Sequence, residues 1–264
     1  MPIIRLFLLI VVVTSLAFPV SAQSLLKHLD LDAPAMTEAE MTRADVEAAM
    51  AASSAAAPAD FTAKKLNGLD LSGLDLSGAI FRAARLNKTN LKGVNLRGAI
   101  LDQAWMLKAD LTEADLRDAH LFQAQLIGAT LDRADFSGAL VASDLSKASL
   151  RDAKFVGAAL GADMRNQSMG LMRGVLRQAT LDGADFSGAD LSRVDFEYAS
   201  LRGANFTGAN LMRAGLAGAD LTGATVKGAN FNKADVDSAK LKSLIGEASS
   251  NLGRARNLSS AFRD

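Results

Sequence analysis

Large apolar residues recur at every fifth position along most of this chain. These centres run unbroken from Leu66 to Val141, restart one residue early over 145–160, and resume over 171–241. All 35 centres are Leu, Phe, Met or Val, and the residue two positions before the centre is Ala at 26 of them. Because an α-helical face returns every 3.6 residues and a strand face every two, a period of five predicts a different backbone path.

A solenoid in which each five-residue unit forms one side of a coil explains this period. The centre and the small residue then point inward, and Gly two positions after the centre suits turns that need a positive φ, as at Gly73 and Gly203. Four sides close a coil of twenty residues, and successive coils stack as parallel strands about 4.8 Å apart. The pattern therefore predicts an all-β solenoid of about nine coils.

Several of the units match a known repeat. ADLTE at 109–113, ADLRD at 114–118 and ADFSG at 184–188 resemble the consensus of the pentapeptide-repeat family. The resemblance covers residues 66–241, with a weaker beginning near Phe61, and it implies a right-handed quadrilateral parallel β-helix. An α-helical array is the rival structure, but each of the many glycines would cost a helix about 1 kcal/mol.

The beginning of the chain has the pattern of a secretory signal peptide. Arg5 precedes an apolar run that begins at Leu6, and small residues end the segment at Ala22. This pattern predicts export with cleavage after Ala22, to the periplasm in preference to the extracellular medium. A retained membrane anchor stays open as the alternative, although the apolar run is short for a span of about 20 residues.

The sequence outside the repeat predicts the remaining parts of the molecule. Residues 37–52 have helical composition, with a capping-box pattern at Thr37 and Glu40, and we expect them to form a short α-helical segment. The predicted organisation is a signal peptide at 1–22, an acidic and partly helical segment with a linker at 23–60, the β-helix at 61–241 with a phase break at 161–170, and a C-terminal cap at 242–264.

Composition excludes several kinds of chemistry. The chain has no cysteine, which excludes disulfides, thiolate metal sites and a cysteine nucleophile. Its two histidines, His28 and His120, have no carboxylate partner evident in the sequence, so no catalytic residue, cofactor site or metal site is predicted. With 29 basic and 29 acidic residues, the chain has no strong field for nucleic acid.

Residues twenty positions apart should lie above one another on one face, so the sequence can be read as columns. Stacked carboxylates could hold a cation, but short polar side chains at turns more often bond to nearby backbone amides, and we favour that interpretation. One such column is Asp75, Asn95, Asp115 and Asp135.

Another column lacks these polar residues and predicts an outward apolar patch. Patches of this kind commonly mark an interaction surface. Either the N-terminal helix folds back over the patch through Met36, Met41, Val46 and Met50, or a partner or second copy binds there. The residues of the predicted patch are Ile80, Ile100, Trp105, Leu107, His120, Phe122, Ile127 and Leu140.

These features favour a non-catalytic exported scaffold that binds a protein partner or itself, without nucleic acid and without membrane insertion after signal cleavage. The family resemblance supplies one alternative, because some members mimic DNA and bind type II topoisomerases. That alternative conflicts with the balanced charge and the signal peptide. A glycan-active β-helix enzyme is the second alternative, since such enzymes use surface carboxylates.

Overall fold

The computed structural model describes residue 30 and residues 33–162 and 172–264. The predicted signal peptide at 1–22 lies outside these ranges, as does most of the predicted phase break. Within them, no helix is both long enough and apolar enough to cross a membrane.

Parallel backbone bridges join residues twenty apart in four columns, one on each side of the coil. Face 1 begins with the pair Asp60 and Ile80, and face 2 begins with the pair at 65 and 85. Faces 3 and 4 begin at residues 70 and 75 in the same way. Each side contributes a single bridged residue rather than a longer strand. The four-sided parallel β-helix predicted from the five-residue period is therefore confirmed.

The interior consists of the centres and the small residues. Leu91 and Leu111, which are twenty residues apart, are both buried, as are the alanines that precede the centres. Four phenylalanine rings form a continuous stack with centroid separations of 4.7, 4.9 and 5.2 Å. Each such pair adds about 0.5–1.5 kcal/mol beyond its burial. The stack contains Phe136, Phe155, Phe186 and Phe206.

A tight turn ends each regular side. In the turn after Leu101, the Ala104 amide donates to the Leu101 carbonyl at 3.0 Å, and Gln103 has a φ of 60°. Polar residues before the centres complete these turns: the Asp110 carboxylate accepts the Thr112 amide at 2.9 Å. The acidic columns thus satisfy backbone amides, in agreement with the interpretation favoured from sequence.

The repeat changes length at two places. Bridges join Gln125 to Asp144 and Leu140 to Ala159, which are nineteen rather than twenty residues apart. Ala159 and Val175 then occupy neighbouring sides although sixteen residues separate them, where five is the rule. The early restart seen in the sequence is therefore a shortened side, and the phase break is a long connection whose residues 163–171 lie outside the described ranges.

The N-terminal helices begin at different residues from those predicted. Helix α1 spans Pro34–Thr37 and helix α2 spans Arg43–Ala51. The prediction of a capping box at Thr37 and Glu40 was wrong, because Thr42 and Asp45 form it instead. The Asp45 carboxylate accepts the Thr42 amide at 2.8 Å, while the Thr42 hydroxyl accepts the Asp45 amide at 3.3 Å.

Helix α2 covers the N-terminal end of the β-helix. Val46 is fully buried in the main core, and Met41 and Met50 pack against the same core. Leu69 and Leu74 hold the positions that alanine occupies in later coils, and both also pack there. Larger residues in the first coil therefore accompany the helix that closes its open end.

Residues 33–40 run along the corner between faces 2 and 3. Asn67 Nδ2 donates to the Glu38 carbonyl at 2.9 Å, and Arg85 Nη1 donates to the Ala35 carbonyl at 3.0 Å. The Glu40 amide donates to the carbonyl of residue 65 at 2.9 Å. This segment is attached to the first two coils through its backbone.

The C-terminal segment closes the other end through three short 3₁₀ helices. Leu252 is buried in the main core, and Asn251 Oδ1 accepts the Phe231 amide at 2.5 Å. The chain thus continues over the last full coil and covers its apolar centre. The 3₁₀ helices are Glu247–Ser249, Leu252–Arg254 and Leu258–Ser260.

Candidate interaction site

Face 1 places half of the predicted patch in one column. Parallel bridges connect Ile80 to Ile100, Ile100 to His120 and His120 to Leu140, and Ala159 continues the column above them. Leu140 is 47% exposed, which is unusual for a large apolar side chain in this molecule. The twenty-residue spacing therefore brings these residues together as the sequence analysis expected.

The remaining patch residues lie around two corners rather than on one surface. Phe122 occupies the corner between faces 1 and 2 and is 37% exposed. Trp105 is half-buried on face 2, while Leu107 and Ile127 follow it at the corner toward face 3. Leu107 is buried. The exposed apolar surface is therefore centred on Phe122 and Leu140.

These two side chains line a groove of about 340 Å³ at the corner of faces 1 and 2. Ala142, Ala159 and Met172 add apolar surface to it. Asp102, His120 and Gly161 complete the lining.

At the groove, the acceptor of the turn hydrogen bond comes from the coil below and not from the residue before the centre. In ordinary turns a polar residue before the centre accepts an amide two residues later. His120 occupies that position in the coil of the groove, and the Phe122 amide instead donates to Asp102 Oδ1 at 3.0 Å, one coil below. Asp102 therefore satisfies the backbone of the groove while the face 1 positions from Ile80 to Ala159 carry no carboxylate or amide side chain.

Both irregularities of the repeat meet at this corner. The shortened side contains Ala142, and the long connection leaves through Gly161 and returns at Met172. Gln123 Nε2 lies 2.9 Å from the Met172 sulfur, which fixes the returning chain beside the groove. Sequence reasoning missed Asp102 and Met172. Asp102 could have been identified from its position, because it lies twenty residues before Phe122.

The ionisable groups of the groove do not form a metal centre. Within the described ranges, no group of three or more His, Asp or Glu residues is placed to hold a metal ion. Arg82 Nε lies 4.0 Å from Asp102 Oδ2, at the lower end of the groove. Away from the groove, the pKa of Asp70 on face 3 is lowered chiefly because the Ser72 hydroxyl donates to its carboxylate, and the pKa of Asp115 on face 4 is lowered chiefly because the Arg117 side chain does.

The groove is not covered by helix α2. Val46, Met41 and Met50 pack on the end of the β-helix, and residues 33–40 follow the corner between faces 2 and 3. Of the two alternatives left open by the sequence, the one in which α2 folds over the patch does not hold at Phe122 and Leu140, because the apolar side chains of α2 close the first coil instead.

Comparison with protein-family models gives a match to pentapeptide repeats, in eight copies, over residues 65–103, 108–138, 175–208 and 209–243. The chain belongs to the pentapeptide-repeat family. No match is found among curated proteins.

Solved structures of family members are also similar to the chain. HetL from Nostoc sp. strain PCC 7120, described as involved in the regulation of heterocyst differentiation, is 31% identical, with 85% of this chain and 98% of HetL covered and a TM-score of 0.38. Full-length QnrB1, a plasmid-mediated fluoroquinolone resistance protein, is 18% identical, with 72% and 92% covered and a TM-score of 0.40. A pentapeptide repeat protein from the Arabidopsis thaliana thylakoid lumen is 27% identical, with 51% and 66% covered and a TM-score of 0.19.

Proposed function

We propose that this pentapeptide-repeat protein is a non-catalytic exported scaffold, built as a right-handed rod of about nine coils, that binds a protein partner through the groove at Phe122 and Leu140. The observation that carries the proposal is that Phe122 and Leu140, both exposed, line one apolar groove among the described residues. Exposed apolar surface of this kind is typical of interaction sites.

The polar groups that line the groove support binding rather than catalysis. The Asp102 carboxylate already accepts the Phe122 amide, and His120 is the one other residue of the lining that commonly acts as a base. A binding surface needs shape and apolar contact, both of which the rigid coils supply.

In-cell photocrosslinking tests the binding proposal. A photoreactive residue placed at Leu140 should give a discrete crosslinked species, and the Phe122→Ser change should remove it. Val156, which is 41% exposed at another corner, is the matched control position for the photoreactive residue. The same crosslinked species from position 156, or no species from position 140, would overturn the proposal.

Export is tested separately by the N-terminus of the mature protein. The periplasmic fraction should contain a chain that begins at Gln23, because the signal pattern ends at Ala22. A cytosolic protein that keeps residues 1–22 would contradict export and would favour an intracellular role.

A further inference from the structure

Carboxylates mark both ends of the apolar groove. Asp102 lines its lower end. At the upper end, the Asp190 side chain lies against Gly161, where a Cβ atom would approach its Cγ to 3.0 Å. Asp190 is exposed and has no ion pair within the parts of the chain that the structure describes.

The repeat fixes the axial distance between the backbones of these two residues. Asp102 lies one coil below Phe122, and Asp190 follows Ala159 in the face 1 column. Four coil steps separate Asp102 from Asp190, which corresponds to about 19 Å along the rod.

We propose that the groove binds an extended cationic segment of a partner protein, with two apolar side chains between two basic ones. This inference rests on the proposed function, since it assigns the chemistry of the partner to the same groove. The apolar side chains contact Phe122 and Leu140, and the basic side chains pair with Asp102 and Asp190.

The spacing of the segment follows from strand geometry. Side chains of an extended chain alternate between faces and advance about 3.3 Å per residue, so residues 1 and 7 lie on one face about 20 Å apart. Positions 3 and 5 share that face and lie between them. A peptide with Lys at positions 1 and 7 and Leu at positions 3 and 5 therefore places its basic side chains at the coils of Asp102 and Asp190 and its apolar side chains between them.

Arg82 provides an internal competitor for the partner. Its guanidinium lies 4.0 Å from the Asp102 carboxylate and neutralises part of that end of the groove. Arg82→Gln should strengthen binding of the cationic peptide, because it frees the carboxylate without changing the groove lining.

Fluorescence anisotropy with three labelled heptapeptides tests the inference. The probes are KTLTLTK, its acidic counterpart ETLTLTE, and KTSTSTK, which lacks the apolar pair. KTLTLTK should bind about tenfold more tightly than ETLTLTE, since two exposed ion pairs replace two repulsions. KTSTSTK should bind more weakly than KTLTLTK, and added salt should reduce the difference between the charged probes.

Matched variants test whether Asp102 and Asp190 cause the preference for the cationic peptide. Asp102→Asn combined with Asp190→Asn should remove the preference for KTLTLTK, while the amide oxygens can still accept the turn hydrogen bonds now made to both residues. Asp135→Asn is the control, because Asp135 accepts the Ser137 amide in the same way but lies on face 4. An effect of the control equal to that of the double variant would overturn the inference.

The outcomes separate this inference from the proposed function. Equal binding of KTLTLTK and ETLTLTE, lost on Leu140→Ser, would overturn the cationic preference and support an apolar binding groove. No binding of any probe, together with a crosslinked species from position 140, would overturn the extended cationic segment alone. Absence of both peptide binding and the crosslinked species from position 140 would overturn both proposals.

Discussion

The residue two positions after each centre controls the turn, and its left-handed backbone explains the frequent glycine. Gly93 has a φ of 62°, and a Cβ atom there would meet nothing within 4 Å, so a side chain has space but an unfavourable backbone. Gly93→Ala should lower the free energy of unfolding by about 1 kcal/mol, and Gly93→Val by more, because β-branched residues tolerate positive φ least.

Urea denaturation of both Gly93 variants measures this cost. Gly253→Ala is the matched control, since that glycine also has open space around it but no positive φ. An equal loss of stability in the control would show that the backbone conformation is not the cause.

Carboxylates that accept hydrogen bonds in the turns should make the stability of the rod depend on pH. The pKa of Asp115 is lowered, chiefly because the Arg117 side chain donates to its carboxylate, with Nε at 2.8 Å. Since its folded-state pKa lies below the unfolded value of about 3.9, this contribution is complete above that value and is lost as pH falls through the folded-state pKa.

Asp115→Asn should therefore reduce the loss of stability between neutral and strongly acidic pH, because the variant has no proton to bind at this position. Urea midpoints at a series of pH values from 7 downward measure the effect. If stability depends on pH in the variant as it does in the unchanged protein, the pair of Asp115 and Arg117 contributes nothing to that dependence.

Helix α2 closes an end of the β-helix that would otherwise recruit other chains. Val46→Asp would bury an unpaired charge in the core, so we expect α2 to detach and the protein to self-associate. Light scattering measures the self-association, and limited proteolysis measures the release of residues 43–51. Ala48→Asp, on the exposed side of the same helix, should leave the oligomeric state unchanged. Detachment of α2 without any self-association would show that another segment protects this end.

The elements differ in how far the sequence could predict them. The twenty-residue neighbours, such as Leu91 and Leu111, followed from the period because every coil repeats the same contacts. The start of α2 did not follow from the sequence, because two capping patterns lie five residues apart and only the structure shows that Thr42 caps the helix that buries Val46. The groove lies where the shortened side meets the long connection. Columns drawn from the sequence with a constant spacing of twenty residues include neither feature, so they could not predict the groove.

The two irregularities of the repeat, the shortened side and the long connection, cancel each other. The side before Asp144 is one residue short, and the connection from Ala159 to Val175 is one residue longer than three complete units. The repeat therefore regains its original phase, and the columns after Val175 continue to the C-terminal cap with twenty-residue spacing. The molecule thus tolerates local changes of length when they leave later inward positions in phase with the coil below.

The same logic predicts which internal deletions the rod accepts. Residues 210–229 form one coil, since Asn210 and Asn230 are bridged neighbours in the face 1 column. Their deletion joins Ala209 to Asn230 and preserves every later position, so the variant should keep the oligomeric state of the unchanged protein and shorten by about 4.8 Å, as measured by small-angle X-ray scattering. Deletion of residues 210–227 removes nearly the same length but shifts later inward positions by two residues. This control should lose stability or aggregate, because apolar centres would turn outward. Equal behaviour of the two variants would contradict the rule that the five-residue unit fixes the fold.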